Sequence, residues 1–108
     1  MTTYLLLYRS AVSARQQMAG ATPEQAQAGM EAWMAWAGTA GSAITDLGSP
    51  LALADTVGAA SSDDTIGGYS IMEAGSVEEL RGLLEQHPHL QQDGTSIDVL
   101  EVLRMPGT

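Results

Sequence analysis

The stretch Thr3-Tyr-Leu-Leu-Leu-Tyr-Arg9 decides the fold of this 108-residue chain. Five of its seven residues are apolar or aromatic and follow one another without a polar break. Such a run is typical of a β-strand that is covered on both faces. Helices of the same chain can cover one face, whereas the other face needs a partner, because large exposed apolar patches usually mark interfaces.

The segment that follows predicts a loop over 10–21 and then a helix. Thr22 is the expected N-cap, Pro23 occupies the first helical position and Gln25 completes a capping-box spacing. Glycines predict the end of the helix near residue 40. The apolar residues recur at helical spacing and form the expected core stripe. They are Ala26, Met30, Trp33 and Ala37, widened by Met34 and Trp36.

The rest of the chain predicts further strands and one more helix. Strand-like pieces at 44–47 and 51–57 are interrupted by Gly48-Ser-Pro50, a loop covers 58–65, and a strand follows at 67–74. Ser76 and Glu79 have capping-box spacing, and Pro88 stops this second helix. The last strand is predicted at 96–104.

The resulting order, β–α–β–β–α–β, predicts a ferredoxin-like α+β fold in one domain, 1–108. Its antiparallel sheet would carry two helices on one face. We expect the other face to pack against a second copy of the chain, which gives a homodimer that forms a dimeric α+β barrel. A cavity between sheet and helices, or across the dimer, is the natural ligand site.

Composition excludes several functions. Thirteen acidic residues against four arginines, with no lysine, give a net charge of −9, which argues against nucleic acid and anionic membranes as partners. The lack of cysteine excludes disulfides and cysteine-ligated metals. No apolar run spans a bilayer and no signal peptide is recognisable, so a cytoplasmic location is expected.

Six segments, taken together and in order, carry a family resemblance. They are Tyr4-Leu-Leu-Leu-Tyr-Arg9, Trp33-Met-Ala-Trp36, Asp46-Leu-Gly-Ser-Pro-Leu51, Gly68-Tyr-Ser-Ile-Met-Glu-Ala74, Glu85-Gln-His-Pro-His-Leu90 and Ile97-Asp-Val-Leu-Glu-Val-Leu-Arg-Met-Pro106. The chain resembles the YCII-related domain family, which overlaps with the DGPF proteins. The resemblance implies a ferredoxin-like fold that dimerises into an α+β barrel, with a candidate active site between sheet and helices.

Some members of that family carry a His–Asp pair, with the histidine on the first helix and the aspartate just before a proline at the end of the second. This chain departs from that pattern, because its first helix has no histidine and its residue before Pro88 is His87. The tetrapeptide Asp-Gly-Pro-Phe is also missing. The resemblance therefore implies a fold more directly than a reaction.

His87 is the first candidate for chemistry. Its spacing from Leu83 and Leu84 turns it inward, where a histidine can act as general acid or base. Asp46 is the candidate partner that would orient it, with Asp55 as an alternative. The structural alternatives are a histidine that stabilises the helix C-terminus and a turn aspartate that bonds its own backbone.

Aromatic and cationic residues are the candidates for ligand contact. Trp33, Trp36, Tyr4 and Tyr8 could line a pocket, or could simply pack the core. Arg9 would suit a carboxylate ligand unless neighbouring acids pair with it. His87 and His89 together offer two metal ligands, but no third is evident, so neither a metal nor a cofactor is expected.

Three functions follow as hypotheses. The first is a small dimeric enzyme in which His87 performs acid–base chemistry on a small, partly apolar organic molecule. The second is a ligand-binding or accessory module with the same pocket and no reaction. The third, by analogy with other dimeric α+β barrels, is a cofactor-free oxygenase.

Overall fold

Four antiparallel strands form the sheet, in the spatial order β2-β3-β1-β4. In a computed structural model, which describes residues 1–59 and 65–106, they are β1 (Thr2–Ser10), β2 (Ile44–Asp46), β3 (Ile66–Ala74) and β4 (Thr95–Glu101). Strand β1 pairs with β3 on one side and with β4 on the other. The stretch that decided the fold therefore lies in the middle of the sheet.

The two faces of β1 have different surroundings. Tyr4, Leu6 and Tyr8 are buried on one face, which we call the inner face. Leu5 and Leu7 point to the opposite, outer face and are only partly covered. The inner face and the helices form one hydrophobic core, with members from β3, α2 and α3. Besides the β1 residues it contains Met72, Ala74, Trp36, Ala40, Leu80 and Leu84.

The described residues contain three α-helices, α1 (Ala14–Gly20), α2 (Pro23–Ala40) and α3 (Val77–Leu84). The prediction of a loop over 10–21 was therefore wrong in part. Ser13 and Gln16 cap α1 with a reciprocal capping box, which is the local sequence signal for this helix. The predicted start of α2 is confirmed, since Thr22 and Gln25 form both bonds of their box.

Helix α2 buries less of its predicted stripe than expected. Trp36 and Ala40 are buried near its C-terminus, whereas Met30 and Met34 are 62% and 54% exposed. The first turns of the helix are exposed throughout. Contact with the sheet is therefore confined to the part of α2 from Trp33 onward. No helix in the described part of the chain is long and apolar enough to cross a membrane.

Several predicted boundaries shift. The segment 51–57 has no strand, because only Pro50 bridges to Gly68 before the chain leaves the sheet. Helix α3 ends at Leu84, and a short 3-10 helix, Pro88–Gln91, follows it. Strand β4 ends at Glu101 rather than at residue 104. Of the loop predicted over 58–65, residues 60–64 lie outside the described part. The predicted ferredoxin-like α+β fold itself is confirmed, with α1 as an additional helix.

Candidate functional site

His87 lies in the short link between α3 and the 3-10 helix. Its backbone N–H donates to the Leu84 carbonyl at 3.0 Å, which closes a last turn after α3. Pro88 follows and cannot continue the helix, so the chain turns back over the sheet. His87 is 0% exposed as a result. The inward orientation expected from its spacing is therefore present.

Three aromatic rings from two other elements surround His87. The ring centroid of Trp36 lies 4.2 Å from that of His87, and Trp33 lies at 4.5 Å. Tyr8 contacts it from the sheet at 4.9 Å. We call Tyr8, Trp33, Trp36 and His87 the aromatic cluster. Strand β1, helix α2 and the link after α3 meet at this point on the inner face.

The two ring nitrogens of His87 have different environments. Nδ1 accepts a hydrogen bond from the backbone N–H of His89 at 3.0 Å. Nε2 is buried and has no hydrogen-bond partner among the described residues. Burial and, to a smaller extent, the nearby His89 together lower the pKa of His87 to about 4. His87 is therefore neutral at pH 7, and its neutral form carries the proton on the unpartnered Nε2.

Tyr8 connects the aromatic cluster to the edge of the sheet. Its hydroxyl donates to Ser70 Oγ at 2.7 Å, and Ser70 donates in turn to the Leu47 carbonyl at 2.5 Å. Burial raises the pKa of Tyr8 to about 12, while the hydrogen bond to Ser70 opposes that rise. The phenol is therefore neutral, and its O–H already donates a hydrogen bond to Ser70 Oγ.

The two tryptophans differ in accessibility. The Trp36 indole donates to the Leu83 carbonyl at 2.9 Å and is 6% exposed, so it is fixed in the core. Trp33 is only partly buried and meets Tyr8 edge to face at 4.9 Å. Tyr4 is buried nearer the start of β1 in the core, and among the described residues its ring does not contact that of His87. Trp33 is thus the member of the aromatic cluster nearest to solvent.

Asp46 is not brought to His87. It pairs in register with Ile71 on the outer face and is exposed, and its carboxylate accepts from the Gly48 N–H at 2.9 Å. A register shift between Ile44 and Asp46 places Asp46 on the outer face. Asp55, the alternative, is exposed and accepts from the N–H of Thr56 at 2.8 Å. Both carboxylates therefore accept a hydrogen bond from a nearby backbone N–H, as a turn aspartate does.

Arg9 also lies away from the aromatic cluster. Its guanidinium forms an ion pair with Asp98 and donates to Thr65 Oγ1 at 2.9 Å. Its register partner on β4 is Ser96, and its side chain shares the outer face with Leu7. A neighbouring acid thus pairs with Arg9, as the alternative in the sequence held.

His89 is a participant that the sequence did not predict in this role. Its Nε2 lies 2.8 Å from the Arg9 carbonyl and 3.0 Å from the Ser96 carbonyl. The ring therefore connects the ends of β1 and β4. Among the described residues, no group of three or more His, Asp or Glu side chains could hold a metal ion.

An open groove of about 610 Å³ lies beside the aromatic cluster, between α3 and β4. Its floor is apolar, with Leu84, Ile97 and Val99, and Arg81 is the only base among its lining residues. His87 does not line it, although Leu84 belongs both to the groove and to the core. We place the candidate site at the aromatic cluster, because it holds a buried polar atom without a partner, whereas no such atom lines the groove among the described residues.

Comparison with known proteins supports the fold. No protein-family model matches the chain, and no curated protein matches it. Among solved structures it is similar to 5-chloro-2-hydroxyhydroquinone dehydrochlorinase from Burkholderia phenoliruptrix, in complex with 2,5-dihydroxybenzoquinone. The two share 20% identity over 91% of each chain, with a TM-score of 0.52. At that identity the similarity shows a common fold.

Proposed function

We propose that this chain is a YCII-related protein that binds a small, flat, partly apolar organic molecule at the aromatic cluster, as a homodimer. One observation carries the proposal, namely the buried Nε2 of His87, which has no partner among the described residues. Leaving such a group unsatisfied costs about 1–3 kcal/mol. A ligand with one polar group at that position would remove this cost.

The shape of the ligand follows from the rings that surround His87. Tyr8, Trp33 and Trp36 offer edges and faces at several inclinations, which suits a flat molecule with an apolar body. Trp33 is the partly exposed member, and its neighbours Met30 and Met34 are exposed. Entry therefore requires the Trp33 side chain to swing away, with the adaptable methionines beside the opening.

The chemistry of the similar structure suggests a ligand class. That dehydrochlorinase was solved with a dihydroxybenzoquinone, a flat ring with several oxygens. The present chain has no cysteine and no lysine, so it lacks the side-chain thiols and amines that would react with an electrophilic quinone. Quinones and related oxygenated rings are thus the first class to test.

The homodimer is supported by the outer face of the sheet. Leu5 lies between Ile71 and Leu100 in register, and Leu7 lies beside Tyr69, which makes a continuous apolar strip. Leu100 is 43% exposed. The accessible surface is 7407 Å², whereas a monomeric protein of this mass has about 5,700 Å². The radius of gyration is 15.0 Å, against about 13 Å for a compact chain of this length. A second copy packed on the strip would cover part of this exposed surface.

Binding is tested by titrating the protein with 2,5-dihydroxybenzoquinone and following the imidazole signals by NMR. We expect the His87 signals to shift and the His87→Phe variant, which fills the space without a polar atom, to bind at least about tenfold more weakly. The matched control is Arg81→Ala, which alters only the groove and should leave binding unchanged. Equal weakening in both variants, or loss only in Arg81→Ala, would contradict the assignment to the aromatic cluster.

A reaction is distinguished from binding alone by product analysis. An enzyme would convert bound quinone or hydroquinone. The His87→Gln variant, whose side chain cannot act as a general acid or base, would then bind the ligand without turnover. Binding by both proteins with no product would favour the ligand-binding module. Consumption of oxygen without added cofactor would favour the oxygenase.

A further inference from the structure

The structure assigns His89 the role of a positioning residue that fixes His87 as a hydrogen-bond donor, and we infer that the site therefore selects ligands that present an acceptor oxygen. The ligand part of this inference rests on the proposed function. The part that concerns the two histidines stands on their contacts alone.

The first step is the anchoring of His89. Its Nε2 is within hydrogen-bond distance of two carbonyl oxygens, those of Arg9 and Ser96. Carbonyls only accept, so Nε2 of His89 must carry a proton and donate to them. Arg9 and Ser96 are register partners on β1 and β4. The His89 ring therefore ties its own backbone to the end of this strand pair.

The second step is the effect of that anchor on His87. The backbone N–H of His89 can only donate, and it donates to Nδ1 of His87 at 3.0 Å. Nδ1 must then be the unprotonated nitrogen, and a neutral imidazole carries its proton on the other one. The His89 ring thus fixes the tautomer of His87 through one turn of backbone, while Pro88 limits the freedom of that turn.

The third step concerns what the ligand must offer. The Nε2–H of His87 is a buried donor with no acceptor among the described residues. A carbonyl, quinone or phenolate oxygen would accept from it, whereas an ammonium group, which has no lone pair, would place one donor against another. A neutral imidazole N–H also stabilises negative charge on such an oxygen. The site therefore favours ring carbonyls and their anions.

The tautomer is measured without any ligand. Long-range ¹H–¹⁵N spectra at pH 7.5 distinguish the two neutral forms of histidine. We expect His87 to be at least nine-tenths in the Nε2–H form. A predominant Nδ1–H form, or an even mixture, would overturn the inference whatever the protein binds.

The role of His89 is tested by two variants. His89→Gln keeps an amide N–H near the position of Nε2, so we expect His87 to keep its single tautomer. His89→Ala removes the anchor, and we expect a mixture of tautomers in a protein that is still folded. A single tautomer in His89→Ala would overturn the positioning role. If that variant does not fold, a mixture in His89→Gln would overturn it instead.

The donor role is tested with 2,5-dihydroxybenzoquinone as the probe. We expect His87→Gln, which retains an N–H donor, to bind within about threefold of the wild type, and His87→Phe to lose about tenfold or more. Equal losses in both variants would overturn the donor role. If the wild type does not bind the probe, the proposed function fails for this ligand class, while the tautomer measurement still decides the role of His89.

Discussion

The hydroxyl of Tyr8 donates a hydrogen bond of 2.7 Å to Oγ of Ser70, across the β1–β3 pair. Ser70 Oγ donates in turn to the Leu47 carbonyl, which lies just after β2. Both side chains are buried, at 3% and 0% exposure. A single chain of hydrogen bonds therefore joins the ring that contacts His87 to the segment that follows β2.

We predict that Ser70→Ala destabilises the protein more than Tyr8→Phe. Tyr8→Phe keeps the ring and leaves Ser70 bonded to Leu47, so it should cost about 1 kcal/mol. Ser70→Ala leaves the buried Tyr8 hydroxyl without an acceptor and removes the donor to the Leu47 carbonyl. The two losses together should cost about 2–3 kcal/mol. Urea denaturation of the two variants measures the difference.

The double variant provides the control for this chain of bonds. With both groups removed, no buried hydroxyl is left unpaired, so the combined cost should be smaller than the sum of the single costs. Additive costs would contradict a direct bond between the two residues.

We predict that the free energy of unfolding decreases as the pH falls from 6.5 toward 4, through His87. The pKa of this histidine is lowered from 6.5 to about 4 in the folded protein, so the unfolded chain binds the proton first. The stability gained from keeping His87 neutral is present above pH 6.5 and is lost as the pH falls through 4. The loss amounts to about 1.5 kcal/mol between pH 6.5 and 5.

His87→Gln is the comparison variant for the pH measurement, since it cannot titrate. Between pH 6.5 and 5, the free energy of unfolding of this variant should fall by about 1.5 kcal/mol less than that of the wild type. The other titratable groups are the same in both proteins, so the difference between the two pH profiles isolates His87. Parallel pH profiles would show that His87 is not the group responsible.

Much of the fold could be predicted because local patterns decided it. The apolar run around Leu6 predicts the central strand, and the capping patterns at Thr22 and Ser76 predict where two helices begin. Each of these signals lies within a few consecutive residues. Helix α1 also has a local signal, the Ser13–Gln16 capping box. The predicted strand over 51–57 failed because strand pairing is not local, and the chain leaves the edge of the sheet after Pro50.

The site was harder to predict because it depends on side-chain orientation. The burial of His87 followed from its spacing, but the rings around it come from distant parts of the chain. Asp46 was assigned to His87 from its position at a strand interruption, yet the register shift beside it places it on the outer face. The bonds of His89 to two backbone carbonyls have no signature in the sequence.

We predict that Leu5→Asp or Leu7→Asp dissociates the proposed homodimer. Both residues lie on the apolar strip of the outer face and are partly covered within one chain. A charge there would have to be buried between the two sheets, which is strongly unfavourable. Light scattering after size-exclusion chromatography should give the dimer mass for the wild type and the monomer mass for the variants.

Val57→Asp is the matched control for the dimer, because it adds the same charge at an apolar residue that is 93% exposed. It should keep the dimer mass. Circular dichroism should show that the Leu5 and Leu7 variants remain folded. A wild-type protein that is monomeric at micromolar concentration would contradict the dimer.

We predict that Gly48→Ala is among the most damaging single substitutions in the chain. Gly48 has a φ of +85°, and a Cβ atom there would lie 1.7 Å from the Tyr69 carbonyl oxygen. Since that oxygen belongs to the backbone of β3, the clash is relieved only if the segment after β2 moves away. That movement would break the bond from Ser70 to Leu47. We expect a cost of at least about 3 kcal/mol, measured by urea denaturation.

Gly94→Ala separates this clash from the cost of the backbone conformation alone. Gly94 has a φ of +74°, and nothing lies within 4 Å of the Cβ position. Its substitution should cost only about 1 kcal/mol, the strain of the left-handed region. If Gly48→Ala is no more costly than Gly94→Ala, the segment after β2 is not held against β3. The path from Leu47 through Ser70 and Tyr8 would then give no support to the aromatic cluster.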